Sequence, residues 1–173
     1  MFGDLGKAFV VVLFLIYCLL VGWYRSFLIP IVIMLPIPLI AIGVIPAHVV
    51  LGKALGGPGT MGVIALAGIV IRNSILLVDF ARSRIAGGMP IKEAVLQACE
   101  MRSRPIILTA LAVILGEAVL YLDPILQGIG ITLPSGALVS TLLTLGIVPI
   151  AYYQLATFLN ARGQTPEQAQ AKP

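Results

Sequence analysis

The sequence predicts an all-α membrane protein: a bundle of five transmembrane helices, with a short cytoplasmic amphipathic helix between the third and fourth spans. Three observations lead there. Of 173 residues, 60% are hydrophobic and 10% charged, and the mean hydropathy is +1.09, far above the apolar share of a soluble domain. Apolar runs of about 20 residues, the length that crosses a hydrocarbon core of about 30 Å, recur five times. The basic residues gather on alternate connections, as in multi-pass proteins.

The runs lie at residues 7–24, 27–50, 60–81, 105–122 and 133–159. The first, AFVVVLFLIYCLLVG, starts near the terminus but lacks a small-x-small cleavage site. It ends in Trp23, Tyr24 and Arg25, an aromatic and basic interface anchor, so it reads as a retained span rather than a signal peptide. The second carries Pro30, Pro36, Pro38 and Pro46. Neighbouring helices satisfy the carbonyls that such prolines free, and a kinked helix with a fixed bend is expected. After the third run, Gly87, Gly88 and Pro90 stop one helix and start another. In IKEAVLQACEMR, Ile91, Val95, Ala98 and Cys99 recur at helical spacing opposite Lys92, Glu93 and Glu100, which suits a short helix along the membrane surface that packs against the bundle. Residues 1–159 form one membrane domain without internal repeats, and the polar tail 160–173 is expected to be disordered and cytoplasmic.

Charge sets the orientation. Arg25, Arg82, Arg84, Lys92, Arg102, Arg104, Arg162 and Lys172 fall on one side, and only Lys7 and Lys53 on the other. The first side is therefore cytoplasmic and the N-terminus lies outside. Topology thus accounts for the net charge of +4, and no nucleic-acid partner is needed. The lipid bilayer is the partner that composition demands. Cys18 and Cys99 give neither a disulfide framework nor a metal spacing. His48 is a lone interface histidine without the companions a metal site requires. No cofactor, metal site or hydrolase, zinc-protease or P-loop motif is expected.

The third run holds the one feature that composition does not explain, GIVIRNSILLVDF. On a helix turning 100° per residue, Ala65, Gly68, Arg72, Leu76 and Asp79 share a stripe about 80° wide. Small residues admit a neighbouring backbone, so the stripe is expected to face the bundle interior. Arg72 lies about 15 Å from the cytoplasmic end, too far to snorkel, and it needs a partner. An intramembrane charge costs at least about 2.5 to 3.5 kcal/mol, which makes Arg72 a functional candidate. The alternative is a static polar clamp of Arg72, Asn73 and Thr109. Asp79, two turns away, and Glu117, in the outer part of the fourth span, are accessory charges. Glu117 reads equally as a second protonatable site and as a hydrated interface carboxylate.

The run MGVIALAGIVIRNSILLVDFARSRIAGGMPIKEAVLQACEMRSRPIILTALAVILG resembles the distal membrane half of resistance-nodulation-division (RND) efflux permeases, of the drug and hydrophobe exporter type. The resemblance extends from Gly6 to Tyr153 and implies the last five of twelve membrane helices. It implies proton-driven export of drugs or other amphiphiles from a bacterial inner membrane, with a periplasmic N-terminus and a cytoplasmic C-terminus. In the family a lysine on the third of these helices joins a proton relay with two aspartates from the other half and a threonine on the fourth. By motif, Arg72 stands at the lysine, followed by Asn73, and Thr109 at the threonine. Arginine stays protonated where lysine can titrate, so Arg72 is expected to act as a permanent counter-ion. The resemblance further implies a missing N-terminal permease half, a homotrimer, a periplasmic adaptor and an outer-membrane channel. The chain then reads as a fragment not competent alone; the alternative is a structural or interaction bundle, or an inactive remnant, that assembles with another half.

Overall fold

The apolar run that opens the chain folds as α1 (Phe2–Tyr24), and in the computed structural model, which describes residues 2–161, every later span is helical as well. Among the described residues there is no strand. α1 is a peripheral helix. Val10, Phe14, Leu15 and Leu19 are exposed, and among its described side chains only Leu20 and Tyr24 are buried. An apolar face this bare is stable against lipid or another protein, not water. The expected interface anchor divides: Trp23 is exposed, whereas Tyr24 turns into the core at 1% exposure.

The second span is two helices, α2 (Leu28–Met34) and α3 (Pro36–Val50). Leu35 between them keeps helical angles, φ −52° and ψ −38°. The interruption therefore comes from the N–H groups that Pro36 and Pro38 lack, not from a turn of the backbone. Between α1 and α2, Arg25 takes a left-handed φ of 48°.

α4 (Gly57–Ala86) has 30 residues, about 45 Å of helix against a core of about 30 Å, so its ends project beyond the hydrocarbon. Its last turn closes in a Schellman motif. The Gly88 N–H donates to Ile85 O at 3.0 Å, and the Met89 N–H to Arg84 O at 3.2 Å. That closure requires the φ of +86° at Gly88, which glycine adopts without strain.

The short surface helix expected before the fourth span is not separate. Residues 91–104 form the first half of one helix, α5 (Ile91–Glu117), which continues through Pro105. Ala94, Val95 and Ala98 are buried, so this segment packs on the bundle. A 3₁₀ turn (Ala118–Leu122) completes the span.

α6 (Gln127–Ala161) is the central helix, packed against α3, α4 and α5. Close approach is its organising feature. A Cβ on Gly62 of α4 would stand 2.9 Å from Thr132 Cβ, and one on Gly43 of α3 would stand 2.8 Å from Val139 Cβ. The Thr132 hydroxyl donates to Gly59 O at 3.2 Å, joining α6 to α4. Where backbones touch like this, dispersion and such hydrogen bonds hold membrane helices together. The polar tail lies outside the described residues from position 162.

Candidate functional site

α4 carries the candidate site because its two faces differ. Leu66, Val70, Asn73, Ser74, Leu77 and Ala81 recur at three- and four-residue steps and are buried. Ala65, Gly68, Arg72, Leu76 and Asp79, the stripe expected to face inward, are all exposed. Their shared face is as the spacing required; its direction is reversed. The stripe points away from the core of these five helices.

Arg72 has no hydrogen bond and no ion pair among the described residues. It lines a cleft of about 340 Å³ with Gly68, Ile75 and Leu76 of α4 and Ile16 and Leu19 of α1. The cleft is apolar apart from the guanidinium, and a Cβ added to Gly68 would meet nothing within 4 Å. Open space therefore adjoins the Arg72 stripe at Gly68.

The remaining candidates are dispersed. Asn73 follows Arg72 in sequence but sits on the buried face at 9% exposure, beside Ser74, whose hydroxyl is buried without a partner. Thr109 on α5 donates its hydroxyl to Pro105 O at 2.8 Å, one turn back on its own helix. Asp79 shares the exposed stripe seven residues from Arg72. Glu117 ends α5, half-buried. No hydrogen bond or ion pair joins any two of these five among the described residues, so they do not form a clamp within the chain. His48, expected at the interface, is buried at 4%, its Nδ1 3.0 Å from Val44 O. Since that carbonyl accepts only, Nδ1 carries the proton.

Sequence reading missed a second polar centre where α1, α4 and α6 converge. The Arg82 guanidinium lies 5.5 Å from the centroid of the Tyr24 ring and donates to Tyr24 O at 3.4 Å. The Tyr24 and Tyr152 hydroxyls are buried there without hydrogen-bond partners. Nothing in the spacing marks Tyr24 as inward, since Trp23 and Arg25 beside it are ordinary interface residues.

Residues 4–156 match the AcrB/AcrD/AcrF family. The chain is also similar to the swarming motility protein SwrC of Bacillus subtilis (strain 168), with 35% identity over 173 aligned positions. That alignment covers 96% of this chain and 16% of the relative, so the chain spans a small part of the curated protein it matches.

Proposed function

The chain belongs to the AcrB/AcrD/AcrF family of RND permeases, and from that premise we propose that it supplies the last five membrane helices of a proton-driven exporter of drugs or other amphiphiles. Arg72 is the fixed positive charge of its coupling site. Its carboxylate partners belong to the permease half beyond this chain, and proton binding to a carboxylate switches the ion pair on and off. The guanidinium keeps its charge throughout, so the proton rides on the acid.

One observation carries this reading: Arg72 lies mid-helix on an exposed stripe with no partner among the described residues. Lipid is an expensive neighbour for a cation at that depth, and protein covers such groups. Asn73 and Thr109 support the site from the core side of α4 and from α5, and Asp79 and Glu117 are accessory charges. The bundle lies in a bacterial inner membrane with its arginine-rich end cytoplasmic and its N-terminus periplasmic. It works in a homotrimer that meets a periplasmic adaptor and an outer-membrane channel.

The test is Arg72→Ala in the intact permease. Export should fall at least about 100-fold, the scale on which loss of one preorganised charge-stabilising group acts in enzymes, while assembly and expression hold. Export at the wild-type rate would overturn the assignment.

A further inference from the structure

An unsatisfied group stands at the end of the bundle away from the arginine-rich turns: the imidazole of His48, in the last turn of α3. Its Nδ1–H donates to Val44 O, so Nε2 presents a lone pair. That nitrogen is buried without a hydrogen-bond partner, an arrangement that costs the desolvation of the group and recovers nothing. Gly59 of α4 locates its surroundings. Nε2 lies 3.3 Å, Thr132 Oγ1 of α6 3.4 Å and Leu55 Cδ1 3.4 Å from the point where a Cβ on Gly59 would stand. The Thr132 hydroxyl has already given its hydrogen to Gly59 O, which leaves its lone pairs open. Nε2 and Oγ1 are thus two acceptors beside one glycine, with no hydrogen to share.

The neighbouring elements do not supply one from an acid or a second imidazole. α3 packs against α4 and α6, and apart from His48 itself residues 36–50, 57–71 and 127–143 hold no titratable side chain. The loop between α3 and α4 holds Lys53 alone, and Lys53 is exposed. Under that loop a cleft of about 320 Å³, lined by His48, Val49, Gly52 and Lys53, brings water to the ring. Imidazole is the side chain that takes up a proton near neutral pH. A proton on Nε2 turns an acceptor into a donor, and Thr132 Oγ1 is placed to receive it. The charge would sit at the C-terminal end of α3, where the helix dipole favours a cation, and solvent screens the repulsion from exposed Lys53.

We propose that His48 is a proton-binding site, and that the occupied site ties α3 to α6 through Nε2–H and Thr132 Oγ1 while Thr132 keeps its bond to Gly59 O of α4. A hydronium ion from the cleft leaves its proton on Nε2 and departs as water. The proposed orientation makes this the periplasmic end. The site depends neither on that orientation nor on Arg72.

His48 is the only histidine of the 173 residues, so nitrogen-15 NMR of the histidine-labelled chain in detergent reads this ring alone. At about pH 8 the hydrogen should be on Nδ1 only, and at about pH 5 on both nitrogens. At the lower pH the Nε2–H should exchange with water at least about tenfold more slowly than in Thr132→Val, the factor that one charge-assisted hydrogen bond contributes. Thr132→Ser should restore slow exchange, which separates loss of the acceptor from a disturbed fold. A ring still neutral at about pH 5 would overturn the proton site. Equal exchange in Thr132→Val and the unsubstituted chain would overturn the tie to α6. Neither readout involves export, so the coupling assignment at Arg72 and this site can fail separately.

Discussion

The two faces of α4 are built from the same helix and answered by different molecules. On the buried face every large side chain has its complement within the chain: Leu66 meets α6 at Gly136, and Gly62 meets Thr132. On the exposed face Arg72 sits among small and apolar residues with no hydrogen-bond or ion-pair partner among the described residues. The first face explains why five helices hold together, and the second is where the proposed partner half would seat. A surface that is neither lipid-like nor self-satisfied is an interface waiting for protein.

The largest effect expected from breaking this contrast lies in the charge itself. Arg72→Gln removes it and keeps polarity; Arg72→Lys keeps it and loses the planar fork. If a fixed cation is what the site requires, Lys should retain export within about tenfold and Gln should lose at least about 100-fold. Neither substitution should alter the stability of this chain, because Arg72 contacts no polar partner in it. Transport assays on the intact permease, paired with unfolding of the five-helix chain in detergent, measure both halves of the statement. Equal activity of Gln and wild type would remove the functional reason for the exposed face.

A pair of neighbouring leucines tests the same contrast by packing alone. Leu77 is 0% exposed and Leu76 is 38% exposed. Leu77→Ala leaves a cavity, and since hydrocarbon is as apolar as the core, the cost is mainly lost dispersion, about 2 kcal/mol. Leu76→Ala should change the unfolding free energy of the chain by less than about 0.5 kcal/mol. Similar losses at both positions would mean that the helix packs on both faces within this chain.

Much of the fold was legible because it depends on runs and on local chemistry. Five long apolar helices follow from hydropathy, and the break at Leu35 from a proline without an N–H. The stripe from Ala65 to Asp79 was legible as one face, since 100° per residue fixes it. Its direction was not, because small residues say that a backbone comes close and not whose. Only Gly128, Gly136 and Thr132 on α6, far away in sequence, show that Gly59, Gly62 and Leu66 are where this chain's own partner docks. Joining residues 91–104 to the fourth span also escaped the pattern. Pro105 reads as a break in a soluble helix, whereas here the helix runs on through it. The contact of the Phe80 ring with the Arg84 and Arg102 guanidiniums could not be found from spacing, because it depends on α4 and α5 meeting.

The most discriminating of the small effects come from two glycines on α4 six residues apart. A Cβ on Gly62 would press Thr132, 2.9 Å from its Cβ, and disturb the hydroxyl that bonds Gly59 O. Gly62→Ala should therefore destabilise the five-helix chain by about 1–2 kcal/mol through overpacking. A Cβ on Gly68 would meet nothing within 4 Å, so Gly68→Ala should stabilise the same chain by about 0.5–1 kcal/mol, the helix-propensity difference alone. In the intact permease the sign at Gly68 should reverse, because a helix seated against the Arg72 stripe would now meet the added methyl, and export should fall with stability. Gly62→Ala should be destabilising in both settings. Measuring the two substitutions in the chain and in the permease thus asks whether the exposed face is covered without touching any charge; a stabilising Gly68→Ala in the intact protein would leave that face open and Arg72 without its proposed partner.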